Sequence, residues 1–546
     1  MTSVRIALPL VLLAAAPICA AAQDAPPCGR GTAVAVVEGR EVQGGAFSSG
    51  FLYFATAEPR EIVQWRHRLK GFDASLVFGA GIWLSGSLDG ELRASVAFYG
   101  RQDFWPGPLG PDGQPAEDCT PFDRIWSVSK ADLTTFAETG VATDDLVSWP
   151  TGLGAPTLDA SGNRVPITTG SIQARAARTI DLDAGEWPLL RGDVTHWWVV
   201  NDVAEYLESG RTPPLFVEVG VTAFAFDVDG VLGRTLFYEF DVRKPAGATI
   251  EDAFVGFYTD MDLGDFDDDY MGSDSVLGMV YTYNAVPTDA QWGERPPAVG
   301  MDILRGPRGP MDERTPMTSA ILPSNTRTQP EVVRNYFLGK NRLGSQLVSY
   351  GRGHPEPGRT DPTTRWHFWG EPGTFWSELD SDGSGTATAQ SDRRIVSGAG
   401  PVPLGPEHPQ DVLIAVITSI GEDHVDSVRQ LKADDRFLQR LADDGILDIA
   451  FIPEVLPTPI PGVLAASLYP VPAADFARLE YHLPLDEPVE ISVFDALGRP
   501  ISTVPANSTA GFHEIEIDTT GLRPGLYLVR IRIGSRLFAR SLVVAR

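Results

Sequence analysis

A dense group of carboxylates is the strongest candidate for chemistry in this sequence. Six aspartates fall within ten residues, directly after a predicted strand: Asp260, Asp262, Asp265, Asp267, Asp268 and Asp269. Carboxylates this close repel one another unless a cation or water screens them, and Ca²⁺ takes about six to eight oxygen ligands from flexible loops. We therefore expect a calcium site. The spacing departs from an EF-hand, which has Glu where Met271 stands, and a solvated acidic turn is the alternative.

Tryptophans form a second group of candidates. Trp366, Trp369 and Trp376 lie close together in the sequence. Aromatic faces contribute to binding sites and to hydrophobic cores. The group therefore predicts either a platform for a glycan or ordinary core packing.

The sequence offers little support for an enzyme. It has no G-x-S-x-G, H-E-x-x-H or P-loop motif, and its acidic residues are too numerous for a catalytic pair to be chosen without geometry. We expect a noncatalytic protein. A deep cleft that holds two carboxyl groups about 5–9.5 Å apart would favour a glycosidase instead.

The charge balance excludes several classes of partner. Acidic residues number 72 against 44 basic ones, a formal net charge of −28. A surface of this sign repels phosphate backbones and anionic lipids, so we expect no nucleic-acid partner. The hydrophobic content of 43% and the charged content of 21% are near globular averages, which argues against wholesale disorder or a polytopic membrane protein.

The N-terminus has the features of a secretory signal peptide. A charged start precedes an apolar stretch at 6–15 and small residues at 20–22, so we expect residues 1–22 to be removed. The mature chain then keeps Cys28 and Cys119 in a compartment that permits disulfides. We predict that these two cysteines are bridged, and two unpaired thiols are the alternative. No later apolar run reaches the ~18 residues of a membrane-spanning helix.

Alternation of apolar and polar residues predicts a β-rich body. Residues 74–85 and 91–99 form a candidate hairpin that turns at Asp89-Gly90, and residues 215–228 and 231–242 form a second. Glycine and proline are frequent, as expected for many turns. The fold class predicted is mainly β and multidomain, with a β-sandwich-like body and a few covering helices.

Two helices are predicted within this body. Residues 129–138 begin with a capping serine, and residues 423–443 place five apolar side chains on one stripe. Such an apolar stripe must face a sheet or another helix. We therefore expect these helices to cover the β-structure.

Proline marks the boundary between the body and the tail. Four prolines occur within residues 452–462, which excludes a continuous helix or a central strand and favours a stiff linker. We assign residues 23–452 to the body, with two subdomains of unknown limits, 453–466 to the linker and 467–546 to a C-terminal domain. Short strands at regular spacing predict an Ig-like β-sandwich for this domain.

The C-terminal domain resembles the type A sorting domain of the type IX secretion system. The resemblance covers 469–546, with Val471 as a departure from the usual entry sequence. It is carried by a set of landmark residues: Tyr469, Pro470, Pro472, Asp495, Leu497, Gly498, Arg499, Gly521, Leu522, Gly525, Tyr527 and Arg530. It implies export through the periplasm and the outer membrane, with the type IX machinery as partner, and an ordinary accessory sandwich is the alternative.

The body is also similar to a set of exported proteins that combine this tail with segments such as 103–108, 197–202 and 260–269. That resemblance implies a family without an assigned activity and gives no catalytic residue to carry over. We expect a secreted or cell-surface protein, calcium-stabilised and noncatalytic. The alternative is a secreted carbohydrate-active enzyme or a carbohydrate-binding protein with a glycan partner.

Overall fold

The computed structural model describes residues 29–53, 68–71, 74–99, 101–203, 213–323, 326–451, 466–469, 473–483, 485–495, 499–534 and 536–544. Several predicted features lie outside the described residues. They are the signal peptide at 1–22, nearly all of the linker at 453–466, Cys28, Pro470, Pro472, Leu497 and Gly498.

The strands of the body are numbered in chain order. They are β1 (Val34–Glu38), β2 (Val42–Phe47), β3 (Phe51–Tyr53), β4 (Arg68–Leu69), β5 (Gly79–Leu88), β6 (Glu91–Phe98), β7 (Arg101–Gln102), β8 (Trp105–Pro106), β9 (Trp126–Ser129), β10 (Thr157–Leu158), β11 (Trp187–Pro188), β12 (Val194–Asn201), β13 (Glu218–Ala225), β14 (Thr235–Arg243), β15 (Ile250–Asp260), β16 (Asp269–Asp274), β17 (Met279–Asn284), β18 (Ala298–Arg305), β19 (Ser319–Ile321), β20 (Leu347–Val348), β21 (Thr363–Thr364), β22 (Arg394–Leu404) and β23 (Gln410–Ser419).

The helices of the body are short, apart from the last. They are α1 (Lys130–Thr139), α2 (Asp144–Val147), α3 (Ile172–Ala177), α4 (Pro330–Phe337) and α5 (His424–Asp443), with single 3₁₀ turns at Thr120–Phe122, Thr151–Leu153, Val231–Arg234, Phe266–Asp268 and Ile446–Asp448. Both predicted helices are confirmed. Ser129 caps α1 in a capping box with Asp132, and the Asp423 carboxylate accepts two backbone N–H bonds at the start of α5.

Two antiparallel sheets form the sandwich of the body. Over the described residues, sheet I has nine strands in the order β16-β17-β18-β23-β14-β13-β12-β8, with β9 also paired to β12. Sheet II has seven strands in the order β19-β22-β15-β5-β6-β7, with β3 also paired to β5. Their inner faces share one hydrophobic core, in which the Phe240 and Phe257 rings lie 5.1 Å apart. Alternate residues of each strand therefore point into this core.

The predicted hairpins are both present. Leu88 pairs with Glu91 across a turn in which Asp89 and Gly90 have φ values of 55° and 79°, as a two-residue hairpin with matching twist requires. In the second hairpin, Ala225 pairs with Leu236, so the connection is longer than the two-residue turn expected. A 3₁₀ turn fills this longer connection.

Different elements cover the outer face of sheet I. Helix α5 packs on β17, β18 and β23 and buries Val428, Leu431 and Leu438. A second apolar cluster, built around Trp149 and Trp197, covers the part of the face near β9 and β12. Between these two covers the outer face carries charged side chains, which form a cavity described below. Helix α4 covers the outer face of sheet II.

The C-terminal domain is a separate β-sandwich. Its strands are β24 (Ala466–Tyr469), β25 (Phe476–Leu483), β26 (Val489–Asp495), β27 (Pro500–Val504), β28 (Gly511–Asp518), β29 (Gly525–Ile533) and β30 (Arg536–Val544). They form the sheets β24-β25-β28 and β27-β26-β29-β30 around a hydrophobic core of their own. The predicted mainly-β fold, with a sandwich body, a few helices and a C-terminal sandwich, is confirmed.

Candidate functional site

The predicted acidic loop divides into two groups of side chains. Asp260 ends strand β15, and Asp262 follows it. Asp265, Asp267 and Asp268 lie in or beside a 3₁₀ turn, and Asp269 begins β16. The six carboxylates therefore do not converge on one point, because the chain changes direction between them.

The first group is completed by a residue that sequence reasoning missed. Oxygen atoms of Asp260, Asp262 and Asp392 all lie within 4.8 Å of one another. Asp392 comes from the segment before β22, where Arg394 pairs with Asp260 across the sheet. The antiparallel pairing of β15 and β22 thus brings together residues far apart in the chain.

One arginine binds this group from one side. Arg394 Nη2 donates to Asp392 Oδ2 at 2.5 Å, and Arg394 Nε lies 3.5 Å from Asp260 Oδ2. The Oδ1 atoms of Asp260 and Asp392 accept no hydrogen bond from a described residue. Burial raises the pKa of Asp260 to about 6, the charge of Arg394 lowers it and that of Asp392 raises it. Asp260 is only 2% exposed.

The second group surrounds a buried amide. Asn284 Nδ2 donates to Asp268 Oδ2, Val286 O and Thr288 O at 3.2–3.3 Å, while Asn284 Oδ1 has no partner in the described part of the chain. Burial raises the pKa of Asp268 to about 6 and that of Asp269 well above its usual range. Asp269 Oδ2 accepts from the Leu263 N–H at 3.0 Å. This group is therefore a folded acidic turn.

Asp289 fixes the path of the acidic loop. Its carboxylate accepts backbone N–H bonds from Asp265, Gln291 and Trp292. Gly264 has φ +67°, and a Cβ there would lie 2.6 Å from Asp289 Oδ1. Glycine is thus required here for both conformation and space.

The three candidate tryptophans do not form a flat platform together. Trp376 is fully buried in the shared core and donates from Nε1 to Gly351 O at 2.8 Å. Trp366 packs partly buried against the same core. Trp369 is 42% exposed and donates from Nε1 to Ser349 Oγ, and the neighbouring Phe375 is 41% exposed. Trp369 alone of the three offers a broad ring surface to solvent.

Cys119 is buried and disulfide-bonded. It lies beside Trp105 in a small apolar cluster. Cys28 is outside the described residues, so the predicted pairing of Cys28 with Cys119 stays a prediction.

A charged cavity on sheet I was not predicted from the sequence. It has a volume of about 550 Å³ and lies over the outer face of β14 and β23. Glu239 and Asp241 from β14 and Asp411 from β23 line it, together with Arg164, and Asp241 and Asp411 stand directly opposite each other in the sheet. The sequence does contain a signal for a charged face here. Glu239 and Asp241 alternate with the apolar residues of a predicted strand, which places both on the side of the strand opposite the core.

The pKa values of the two facing carboxyl groups, Asp241 and Asp411, are shifted in opposite directions. Burial raises the pKa of Asp241, opposed by the charge of Arg243 and supported by that of Glu239. Burial also acts to raise the pKa of Asp411, but hydrogen bonds from Arg314 and Arg308 and the charges of Arg314 and Arg305 outweigh it and lower that pKa. Both oxygens of Asp411 accept these bonds, at 3.1 Å from Arg308 Nε and 2.6 Å from Arg314 Nη2.

Several of the sorting-domain landmark residues that the structure describes make hydrogen bonds at turns or packing contacts between strands. Asp495 accepts two bonds from Arg499, one from the backbone N–H and one from Nε, and so closes the turn between β26 and β27. Tyr527 Oη donates to Arg523 O at 2.9 Å. The Tyr469 hydroxyl donates to Glu480, and Leu522 packs against the core of this domain.

Three other landmarks lie in or next to β29. Gly521 lies in the turn before this strand and Gly525 begins it, in a backbone conformation with φ 156°. Arg530 stacks 4.6 Å from the Phe494 ring and reaches Asp444 of the body at 3.6 Å. These residues serve the fold of the sandwich and its contact with the body.

The comparisons with known proteins identify the C-terminal domain. Residues 467–545 match the family model described as the secretion system C-terminal sorting domain. The chain therefore carries a type IX sorting domain and is delivered by that machinery to the cell surface or the extracellular space. Over the described residues, no helix is both long and apolar enough to cross a membrane.

No curated protein matches the sequence. Among solved structures, a polysaccharide lyase aligns with 10% identity and a TM-score of 0.19, over 60% of this chain and 34% of the lyase chain. The chain thus spans about a third of that protein's length. No activity is transferred from it.

Proposed function

We propose that this exported protein has a calcium-stabilised body that works at the cell surface or outside the cell. The supporting observation is the convergence of Asp260, Asp262 and Asp392 within 4.8 Å. The cluster joins the end of β15 to the segment before β22. A cation held there would fix two neighbouring strands of sheet II.

The charge balance of the cluster suits a divalent cation. The cluster sets three carboxylates against one guanidinium, that of Arg394, so these four groups carry a formal charge of −2 when all are ionised. Arg394 binds the Oδ2 atoms, and the Oδ1 atoms of Asp260 and Asp392 remain available. Carboxylate oxygens are ligands that Ca²⁺ prefers, and water or backbone carbonyls complete its coordination.

Thermal unfolding with and without calcium tests this proposal. A ligand that binds only the folded state adds about 2.7 kcal/mol when its concentration is 100-fold above Kd. We therefore expect millimolar Ca²⁺ to raise the Tm of the body relative to EGTA. Asp392→Asn should abolish that rise.

Asp267→Asn is the matched control. Asp267 belongs to the acidic loop but is exposed and lies outside the cluster. This variant should keep the full calcium-dependent rise in Tm. The proposal is wrong if the wild-type Tm is unaffected by calcium, or if both variants lose the rise equally.

Carbohydrate binding is the second candidate function. It is favoured by two exposed aromatic side chains of one loop, Trp369 and Phe375. Trp369→Ala should weaken binding of a glycan panel to the body. If the panel gives no binding to the wild type, this candidate fails while the calcium proposal stands.

A further inference from the structure

The cavity on sheet I is built by four separate segments of the chain. Its floor is the outer face of β14 and β23. Its walls are the loop after β18, which contributes Arg308 and Asp312, and the turn between β22 and β23, which contributes Glu407 and His408. Arg164 enters from the loop after β10. The volume of about 550 Å³ falls within the ~300–1,000 Å³ of small-molecule sites.

Some of its charged groups are already paired, and others are free. Arg308 binds Asp411 and Asp312, and Arg314 binds Asp411. Arg164 and Glu407 make no ion pair or side-chain hydrogen bond with any described residue. Both side chains are exposed at the cavity. The cavity thus has a guanidinium and a carboxylate available for a ligand.

The floor of the cavity also has a carboxylate with spare hydrogen-bonding capacity. Asp241 is 18% exposed and accepts one bond from Arg243 Nη2 at 3.2 Å. The neighbouring floor residues are already in ion pairs, since Glu239 Oε2 lies 2.9 Å from Arg191 Nη2 and Arg243 Nη1 lies 3.5 Å from Glu218 Oε1. The Asp241 carboxylate is therefore stabilised further when a polar ligand donates to it.

We propose that this cavity binds a neutral saccharide, with Asp241 and Glu407 accepting from sugar hydroxyls and Arg164 donating to them. Each sugar hydroxyl can both donate and accept a hydrogen bond. It can therefore donate to the carboxylates and accept from the guanidinium that line this cavity. An apolar ligand would leave these groups unpaired. A polyanion would meet five acidic side chains, because Glu239, Asp241, Asp312, Glu407 and Asp411 all line the cavity.

The geometry assigns binding rather than hydrolysis to this cavity. A glycosidase needs two carboxyl groups free to act as acid and as base or nucleophile. Asp241 faces Asp411 across the sheet, but both Asp411 oxygens are held by arginines. This inference deepens the carbohydrate-binding candidate and rests on it. It depends neither on calcium nor on Trp369.

Calorimetric titration of the full chain tests the inference, with cellobiose, maltotriose and xylobiose as neutral probes and digalacturonate as the anionic probe. We expect one neutral probe to bind, and Asp241→Asn and Arg164→Gln each to weaken it by ~10-fold or more, the loss expected for one charge-assisted hydrogen bond. Arg164 is exposed, so its variant should fold normally. Glu251→Gln, which changes an exposed carboxylate outside the cavity, should bind as the wild type does.

The possible results separate this site from the Trp369 platform. If only Trp369→Ala weakens binding, the carbohydrate-binding candidate holds and the cavity is not the site. If no probe binds, both are wrong. If digalacturonate alone binds, or if a bound probe is cleaved, the inference of a neutral, noncatalytic saccharide site is overturned.

Discussion

Two carboxyl groups meet in the buried contact between α5 and sheet I. Asp302 of β18 and Asp435 of α5 are both fully buried and lie close enough to share a hydrogen bond. Burial, followed by the charge of Asp435, raises the pKa of Asp302 well above its usual range. Burial raises the pKa of Asp435 to about 7, the bond to Asp302 lowers it and the charge of Asp274 raises it. The pair therefore retains a proton in the folded state near neutral pH.

This pair should make the folded state less stable as pH rises. The folded-state pKa values lie above the ~4 of an unfolded aspartate, so the folded chain binds more protons between about pH 4 and 7. The free energy of unfolding should fall across that window. Asp302→Asn removes one titrating group and can donate to Asp435, so its Tm at pH 8 should exceed that of the wild type.

The difference between Asp302→Asn and wild-type Tm should shrink at pH 4, where the wild-type pair is fully protonated. Calorimetric scans at both pH values measure this directly. A difference that is independent of pH would mean that the two carboxyl groups are not protonated as argued.

A buried arginine anchors helix α3 to the body. Arg175 is buried and donates to Glu218 at 2.7 and 3.0 Å, to Leu109 O at 2.8 Å and to Leu153 O at 3.3 Å. Glu218 also accepts from the Leu109 N–H at 2.8 Å. A helix of six residues is too short to be stable alone. Its position therefore depends on this buried ion pair.

Removing one partner of this pair should cost far more than removing both. Arg175→Met leaves Glu218 buried without its main partner, and we expect the free energy of unfolding to fall by ~3–5 kcal/mol. Combining it with Glu218→Leu should recover much of that loss, because no unpaired buried charge remains. Urea unfolding of the single and double variants measures the difference. If the single and the double variant lost the same free energy of unfolding, the role given to the ion pair would be contradicted.

Local features of these elements were predictable, and their partners were not. The Asp89-Gly90 turn and the cap of α5 at Asp423 depend on neighbours in sequence, so their residue types predict them. Asp392 joins the acidic cluster only because β22 pairs with β15. The order of strands in a sheet is not encoded in local periodicity. Asp241 and Asp411 likewise lie opposite each other only because β14 pairs with β23, so the sequence does not predict that they meet.

At the scale of the whole molecule, the chain has a body and a tail with separate hydrophobic cores. The tail core, as far as the structure describes it, contains only residues from β24 onward, and contacts between tail and body include Leu528 and the Arg530–Asp444 pair. The sorting function and the fold of the body therefore need not depend on each other. This arrangement fits a tail that is recognised by export machinery.

Deleting residues 467–546 should stop export without unfolding the body. We expect the truncated chain to accumulate in the periplasm and the full chain to reach the cell exterior, as measured by fractionation. The truncated body should keep a cooperative thermal transition, since its core is left intact. If the truncated chain reached the exterior, the role of the tail in sorting would be wrong.

The distribution of indole rings has a practical consequence. All 12 tryptophans lie before residue 377, and Trp83, Trp149, Trp197, Trp198 and Trp376 are fully buried in the body. The tail contains tyrosines but no tryptophan. Indole fluorescence will therefore follow the melting of the body alone, while far-ultraviolet dichroism will follow both units. Comparing the two signals on one sample will show whether they unfold together or one after the other.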